Sequence, residues 1–149
     1  LASGRPASTD EGVGLETAFW KKKGAPMQNV CLIDGSGLSR SNKFPAGFLA
    51  YVLKAMAGDE EYVSFFPLAG QEGTVRRLFK DTPLDSYVAL KTGTMRGIRC
   101  LAGYKLDEDF APTHVIVIMG NNASGGAAAV NNAAQSMLMQ IFYPSNQSE

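Results

Sequence analysis

The apolar residues of this chain recur at helical spacing in several segments, each bounded by residues that start or stop helices. Gly24 follows a run of three lysines, as expected where a helix ends. Pro45 marks the start of another helix, because proline is favoured at the first helical position. The pattern predicts helices over residues 14–23, 45–56 and 127–142, with shorter helical pieces over 60–66 and 75–79.

Short apolar runs separated by turn-forming residues predict strands between these helices. The run from Val115 to Met119 has no polar residue, so we expect that strand to be buried on both faces. The connections between the last three strands are short enough to join antiparallel neighbours. Strands are predicted over 29–33, 86–91, 97–106 and 114–120. This order of elements predicts an α/β protein of the α+β type, with an antiparallel sheet and helices on its faces.

Gly, Ser, Pro and Asp dominate the first residues of the chain. We expect residues 1–12 to be a poorly ordered lead-in, residues 13–144 to form the folded domain, and residues 145–149 to be a tail. The chain begins with Leu1 and without an apolar signal segment, so we expect it to be an internal part of a longer protein.

The composition supports one domain with its own core and excludes several function classes. The chain has 149 residues, 45% of them hydrophobic, and its 14 basic residues balance its 14 acidic ones. Net charge therefore gives no reason to expect nucleic acid or an anionic membrane as a partner. No apolar run approaches the ~20 residues that a membrane-spanning helix needs.

The two cysteines, Cys31 and Cys100, are too few for a zinc site or a disulfide scaffold. Both stand in apolar, strand-like surroundings, so we expect buried thiols. One disulfide between neighbouring strands stays open as an alternative.

Two polar motifs stand out against the apolar pattern. Lys91-Thr-Gly-Thr94 follows an apolar run and is expected at the end of a strand, about fifty residues after the cluster Asp34-Gly-Ser-Gly-Leu-Ser-Arg-Ser-Asn42. A lysine supplies a positive field, threonine hydroxyls bind a carboxylate, and a glycine lets a ligand backbone approach a strand edge closely. Acyl transfer by a serine requires these groups.

Other candidate residues have simpler structural interpretations. His114 is the only histidine, and no Ser-His-Asp pattern surrounds it, so we expect it to begin a strand. The segment from Gly120 to Gly126 joins a strand to a helix but lacks the spacing of a phosphate-binding glycine loop. We therefore expect neither a metal nor a cofactor.

Four segments in order resemble the C-terminal part of the DacB-type D-alanyl-D-alanine carboxypeptidases, the peptidase S13 family of class C low-molecular-mass penicillin-binding proteins. They are the Asp34–Asn42 cluster, Pro67-Leu-Ala-Gly70 with Gly73-Thr74, Lys91-Thr-Gly-Thr94, and Leu101-Ala-Gly-Tyr104. The resemblance covers most of residues 12–143. It implies that residues 13–144 are the second half of a catalytic domain like those of penicillin-binding proteins and serine β-lactamases.

The resemblance also implies a function. Members of this family are periplasmic or cell-envelope serine peptidases that remove the terminal D-alanine of peptidoglycan stem peptides, cut peptide cross-links and are acylated by β-lactams. By this resemblance the catalytic residues are Ser39, Asn42 and Lys91. The substrate-binding residues are Ser41, Thr92, Gly93 and Thr94, the last with its backbone N–H in the oxyanion hole.

The sequence departs from the family pattern in two places. The family's second motif is Ser-x-Asn, with Ser39 as its serine by this resemblance. Two residues after Ser39 stands Ser41 instead of asparagine, so Ser41 or Asn42 fills the asparagine role, and we prefer Asn42. No serine of this chain has lysine three residues later, although the family's nucleophile lies in Ser-x-x-Lys. We expect that serine in a missing N-terminal half of the domain, and we expect this chain alone to be inactive.

Two other functions stay open. A serine β-lactamase shares the motif set, although the string from Asp34 to Arg40 argues against it. The third interpretation is a non-catalytic fold that binds peptidoglycan. We also expect self-association, because a sheet without its N-terminal strands exposes apolar surface.

Overall fold

The computed structural model describes residues 8–144 of the chain. They divide into two compact units, with the boundary between Val52 and Leu53. The elements are α1 (Thr9–Lys22), α2 (Ala46–Met56), α3 (Glu60–Ser64), a 3-10 turn (Gly73–Val75), β1 (Val88–Met95), β2 (Ile98–Leu106), β3 (Pro112–Asn121) and α4 (Gly126–Phe142). Within the described residues, no helix has the length and apolar character needed to cross a membrane.

The predicted helices over 45–56, 60–66 and 127–142 are confirmed by α2, α3 and α4. The helical piece predicted over 75–79 is wrong, because only the preceding 3-10 turn forms. Phe79 has a left-handed backbone (φ 59°), which is incompatible with a right-handed helix.

Helix α1 begins at Thr9 and not at residue 14. The N–H of Glu11 donates to the Ser8 hydroxyl (3.1 Å), and the N–H of Ser8 donates to the Glu11 carboxylate (3.1 Å). This reciprocal cap satisfies backbone donors that the first turn leaves free. Residues 9–12, which we expected in the lead-in, are therefore helical, while residues 1–7 and the tail 145–149 lie outside the described residues.

The predicted strand over 29–33 is wrong. Only Cys31 pairs with another segment, through two backbone hydrogen bonds with Lys43 (2.7 and 2.8 Å). The pairing does not extend, because Asn29 has a left-handed backbone (φ 60°) and the N–H of Ile33 donates to a side-chain oxygen. Local side-chain hydrogen bonds thus replace a strand ladder here.

The expectation of two buried thiols is also wrong. Cys31 is exposed, Cys100 is half-buried, and both thiols are free. Cys31 lies on an isolated bridge and not inside a sheet, and Cys100 lies opposite Gly93, which has no side chain to cover it. Its partial burial still raises the pKa of the Cys100 thiol.

The three strands form one antiparallel sheet in the order β1-β2-β3, which confirms the predicted meander. Met95 pairs with Ile98 across a tight turn at Gly97 (φ 79°). The expectation that the last strand is buried on both faces is wrong, because in β3 only Ile116 is fully buried. As the end strand of this sheet, β3 has one strand neighbour and keeps part of its surface open.

The core of the second unit lies between one face of the sheet and α4. Leu90, Leu101 and Ile116 contribute one buried residue from each strand, and Ala134 and Leu138 pack against them from α4. Burial of such side chains is the main stabilising contribution to a small domain.

Tyr104 organises the opposite face of the sheet. It is fully buried, its hydroxyl donates to the carbonyl of Leu53 (2.8 Å), and its ring meets that of Phe66 edge to face. Burial raises the pKa of Tyr104, so the hydroxyl stays protonated and remains a donor. Because Ala89 pairs with Tyr104 and Leu90 faces α4, the direction of every side chain along β1 follows by alternation.

Candidate active site

The Lys91–Thr94 segment lies inside β1, so the prediction that it stands at the end of a strand is wrong. The strand continues to Met95, and the motif pairs with β2 throughout, from Lys91 opposite Ala102 to Thr94 opposite Arg99. The two β-branched threonines of the motif favour extended backbone, so the ladder runs on to the hairpin turn. The sheet therefore holds the motif firmly along one edge.

The other edge of β1 is paired only along its first half. The carbonyl of Val88 accepts from the N–H of Ala69 (2.8 Å), and the N–H of Leu90 donates to the same neighbouring segment (3.0 Å). Backbone groups alternate between the two edges of a strand, so those of Thr92 and Thr94 point to this same outer edge. No backbone group of residues 53–144 pairs with them there.

The motif presents its side chains on both faces of the sheet. Because Leu90 faces α4, Thr92 and Thr94 share that face and Lys91 takes the opposite one. Lys91 is exposed, and its Nζ donates to the outward-pointing carbonyl of Thr92 (3.2 Å). A ligand along this open edge would meet an ammonium group on one side and hydroxyls on the other.

Neighbouring side chains hold both threonine hydroxyls. The hydroxyls of Thr92 and Thr74 share a hydrogen bond (2.8 Å), and that of Thr94 accepts from Nη1 of Arg99 (2.7 Å). Our sequence analysis missed Arg99. The signal that could have found it is the hairpin register, which places it directly opposite Thr94.

In the first unit, Asp34 organises the loop that carries the second motif. Its carboxylate accepts from the N–H of Gly37 (2.9 Å), the N–H of Ser39 (2.8 Å) and the side-chain amide of Asn42 (3.0 Å). Desolvation raises the pKa of this carboxyl, but the hydrogen bonds from Asn42, Gly37 and Ser39 outweigh it. The pKa of Asp34 therefore lies below the ordinary aspartate value.

The side chain of Asn42 is fully engaged within this loop. Its Oδ1 accepts from the N–H of Ile33 (2.7 Å) and of Asp34 (3.2 Å), while its Nδ2 donates to the carboxylate and the carbonyl of Asp34 (3.0 and 3.3 Å). An amide side chain has two donor and two acceptor sites, so none is left for a ligand. This geometry favours a positioning role for Asn42, and its catalytic role stays a prediction.

The two predicted serines of the loop, Ser39 and Ser41, keep a free donor. Ser39 is half-buried, and its Oγ accepts from the N–H of Ser41 (3.2 Å), which leaves its O–H available to donate. Ser41 is exposed. The loop thus gathers the three predicted residues of the second motif, with Ser39 as the one whose hydroxyl is oriented.

We expect Asp34→Asn to loosen this loop. The new amide group would place N–H donors against existing donors, so the bonds from Gly37 and Ser39 weaken. Amide hydrogen exchange at Gly37 and Ser39 in the protein should rise by about tenfold or more, since bonds to a charged acceptor are the stronger ones. Asp10→Asn removes the same charge from the exposed first turn of α1 and should leave this exchange unchanged.

The pH dependence of the loop follows from the same carboxylate. Because the folded pKa of Asp34 lies below its unfolded value, its stabilisation is present above the ordinary aspartate pKa of about 3.9 and is lost as the pH falls through the lowered value. A carboxyl titration by NMR should find its midpoint below that ordinary value. A midpoint at or above it, or unchanged exchange in Asp34→Asn, would contradict this account.

The second unit has a small cavity of about 70 Å³ whose lining includes Thr94 and Arg99, and a larger cavity that lies elsewhere. The larger cavity, of about 650 Å³, is lined mainly by apolar residues, among them Phe66, Leu68 and Phe110, and by none of the predicted site residues. Within the second unit we place the candidate site at the open edge of β1, because the side chains of Lys91, Thr92 and Thr94 lie along it. Within residues 8–144, no three His, Cys, Asp or Glu side chains come together as metal ligands.

Comparison with known families decides the family of this chain. The model of the D-Ala-D-Ala carboxypeptidase 3 (S13) family matches residues 1–141. The chain belongs to this family. The resemblance drawn from the four motif segments is confirmed. The open outer edge of β1 carries the motif Lys91-Thr-Gly-Thr94, and we call it the Lys-Thr-Gly-Thr edge.

Two curated relatives show how much of a family member this chain represents. The D-alanyl-D-alanine carboxypeptidase DacB of Haemophilus influenzae is 36% identical over 105 residues, which cover 67% of this chain and 22% of the relative. Carboxypeptidase DacB of Mycolicibacterium smegmatis is 30% identical over 142 residues, which cover 89% of this chain and 31% of the relative. The chain thus spans between 22% and 31% of the length of these S13 relatives.

Solved structures of an S13 relative have the same fold. The crystal structure of penicillin-binding protein 4 (dacB) from Haemophilus influenzae matches 93% of this chain and 33% of its own, with a TM-score of 0.74 and 28% identity. A structure of that protein complexed with a β-lactam gives a TM-score of 0.76 at 27% identity, over 93% of this chain and 34% of its own. These matches confirm the predicted fold class.

Proposed function

We propose that this chain is the substrate-aligning part of a serine D-alanyl-D-alanine carboxypeptidase/endopeptidase that acts on peptidoglycan stem peptides. The observation that carries the proposal is the open outer edge of β1, where no backbone group of the second unit pairs with those of Thr92 and Thr94. An extended peptide adds to such an edge through main-chain hydrogen bonds. The names of the relatives support the substrate class.

The proposed reaction is acyl transfer to a serine in a part of the protein outside this chain. The serine oxygen attacks the carbonyl carbon of the penultimate D-alanine, the peptide C–N bond breaks, and the terminal D-alanine leaves as an amine after gaining a proton. Water then hydrolyses the ester and restores the serine. The products are the shortened peptide and free D-alanine.

The residues of this chain take supporting roles in that reaction. Ser39, with its free O–H, and Lys91 assist proton transfer to the leaving amine. The outward N–H of Thr94 donates to the carbonyl oxygen, which carries negative charge in the transition state. The hydroxyls of Thr92 and Thr94 bind the terminal carboxylate of the substrate.

Gly93 supports the placement of a ligand along this strand. A Cβ at this position would meet only the Cβ of Cys100, at the ordinary contact distance of 3.6 Å. Packing within the chain therefore does not require glycine here. A peptide that lies close to the strand does, because any side chain would hold it away.

The same site would react with β-lactams, whose ring amide replaces the peptide bond of the substrate. The structure of penicillin-binding protein 4 complexed with a β-lactam supports this part of the proposal. Since peptidoglycan lies outside the cytoplasmic membrane, we propose the periplasm or cell envelope as the location.

Incubation of the intact protein with a fluorescent penicillin tests the proposed function. We expect a covalent adduct that survives denaturing electrophoresis and is blocked by unlabelled penicillin, and we expect no adduct on the 149-residue chain alone. An intact protein that forms no adduct would contradict the proposal. An adduct that hydrolyses within seconds, without cleavage of D-Ala-D-Ala peptides, would identify a β-lactamase instead.

A further inference from the structure

Arg99 is the buried charged residue beside the Lys-Thr-Gly-Thr edge. It lies on β2 directly opposite Thr94 and retains only 8% of its surface exposed. Its Nη1 donates to Oγ1 of Thr94 (2.7 Å), and its Nε donates to Oδ1 of Asn131 on α4 (2.9 Å). Two anchors therefore fix the guanidinium plane against the face of β1 that carries the threonine hydroxyls.

The charge of Arg99 is not neutralised by the groups that hold it. An arginine side chain stays protonated at every physiological pH. Both of its side-chain hydrogen bonds within residues 8–144 go to neutral oxygens, one hydroxyl and one amide. Burying a cation without an anionic partner is unfavourable, and an anion bound beside Arg99 would offset that cost.

The hydrogen bond to Thr94 also sets the direction of that hydroxyl. A hydroxyl has one donor hydrogen and accepts through its lone pairs. Because Oγ1 of Thr94 accepts from the guanidinium, its O–H is left to donate, and Thr94 is exposed, so a ligand can reach that donor. A donor that is itself polarised by a cation binds a carboxylate more strongly than a free hydroxyl does.

We propose that Arg99 is a positioning residue that makes the Lys-Thr-Gly-Thr edge selective for substrates with a free terminal carboxylate, acting through the hydroxyl of Thr94. This inference rests on the proposed function. Arg99 supplies the positive field and orients the Thr94 donor, while the carboxylate of the terminal D-alanine supplies the missing negative charge.

The test compares two substrates in the intact protein, a peptide ending in D-Ala-D-Ala with a free carboxylate and the same peptide as its C-terminal amide. In Arg99→Gln we expect KM for the free acid to rise about 10- to 100-fold, with a smaller change in kcat. The amide should change less than about threefold, because it has no charge to recognise. Arg99→Lys should restore part of the loss, since the charge is kept and the planar two-donor geometry is not.

A matched control removes the same charge from the same hairpin. Arg96 is exposed in the turn between β1 and β2, so Arg96→Gln should leave both substrates unchanged. Thr94→Val removes the hydroxyl that accepts from Arg99 but keeps the charge of Arg99, and it should give the same selective loss. The double variant Thr94→Val/Arg99→Gln should lose no more than the more affected single variant, because both act through one contact.

The outcomes separate this inference from the proposed function. If wild type reacts with penicillin but Arg99→Gln affects acid and amide equally, or affects neither, the role of Arg99 in selectivity is overturned. If wild type neither binds penicillin covalently nor cleaves the peptide, the proposed function and this inference both fail. If Arg99→Gln does not fold, the same comparison of acid and amide is made with Arg99→Lys and Thr94→Val. Equal loss of activity toward both substrates in these two variants overturns the inference.

Discussion

Lys91→Ala in the intact protein is expected to slow acylation by penicillin by about 10²- to 10⁴-fold, the usual loss when a group that assists proton transfer is removed. Lys91 is exposed, and its ammonium already lies against the outward carbonyl of Thr92 at the open edge of β1. Its loss removes one of the positive charges at that edge without disturbing packing, because the side chain fills no part of the core. The measurement is the rate of covalent labelling with a fluorescent penicillin.

Two further variants make this result specific. Lys91→Arg keeps the charge, but a guanidinium does not release a proton, so we expect a loss nearly as large. Lys54→Ala removes the same charge from the exposed last turn of α2 and should label within about twofold of wild type. Labelling of Lys91→Ala at the wild-type rate would contradict the assigned role.

Gly103→Ala is expected to destabilise the second unit by at least about 3 kcal/mol. A Cβ on Gly103 would lie 2.0 Å from the carbonyl oxygen of Ala89, inside the contact between β1 and β2. The atom in the way is backbone, so no side-chain rotation relieves the clash. The φ of +155° adds a second cost, since residues with a Cβ rarely adopt it.

Hydrogen–deuterium exchange over β1 and β2 in the intact protein measures this effect as a lower free energy of opening. Gly12→Ala is the matched control, because Gly12 lies inside α1 and a Cβ there meets nothing within 4 Å. That substitution should stabilise α1 by about 0.4–1 kcal/mol. Unchanged exchange in Gly103→Ala would show that β1 and β2 move apart easily enough to admit the Cβ. That result would contradict the close register described for the two strands.

Elements whose signal is local were predictable from the sequence. The apolar stripe after residue 126 and the start signal at Pro45 predicted α4 and α2 correctly, because helical periodicity depends on residues within a few turns of one another. The three-strand meander was predicted for the same reason, since short turns join neighbours. The run over 29–33 has the composition of a strand, but Asn42, nine residues beyond Ile33, takes the N–H that a ladder needs.

Burial was predicted less well than element type. The apolar run in β3 suggested burial on both faces, and both cysteines were expected inside. Whether an apolar residue is buried depends on which element covers it, and the position of β3 at the end of the sheet is a property of the topology. The same limit applies to Ser8 and Glu11, whose reciprocal cap extends α1 into residues that composition alone marked as a lead-in.

The sequence by itself determined the family and the residue types of the candidate site, because motif order and spacing are properties of the chain alone. Only the tertiary structure decided how those residues are used. It placed Lys91-Thr-Gly-Thr94 inside a strand with one open edge, engaged every hydrogen-bonding site of Asn42 within its own loop, and brought the buried charge of Arg99 to the hydroxyl of Thr94. Each of these depends on strand register or on hydrogen bonds between residues several positions apart, and no local pattern encodes them.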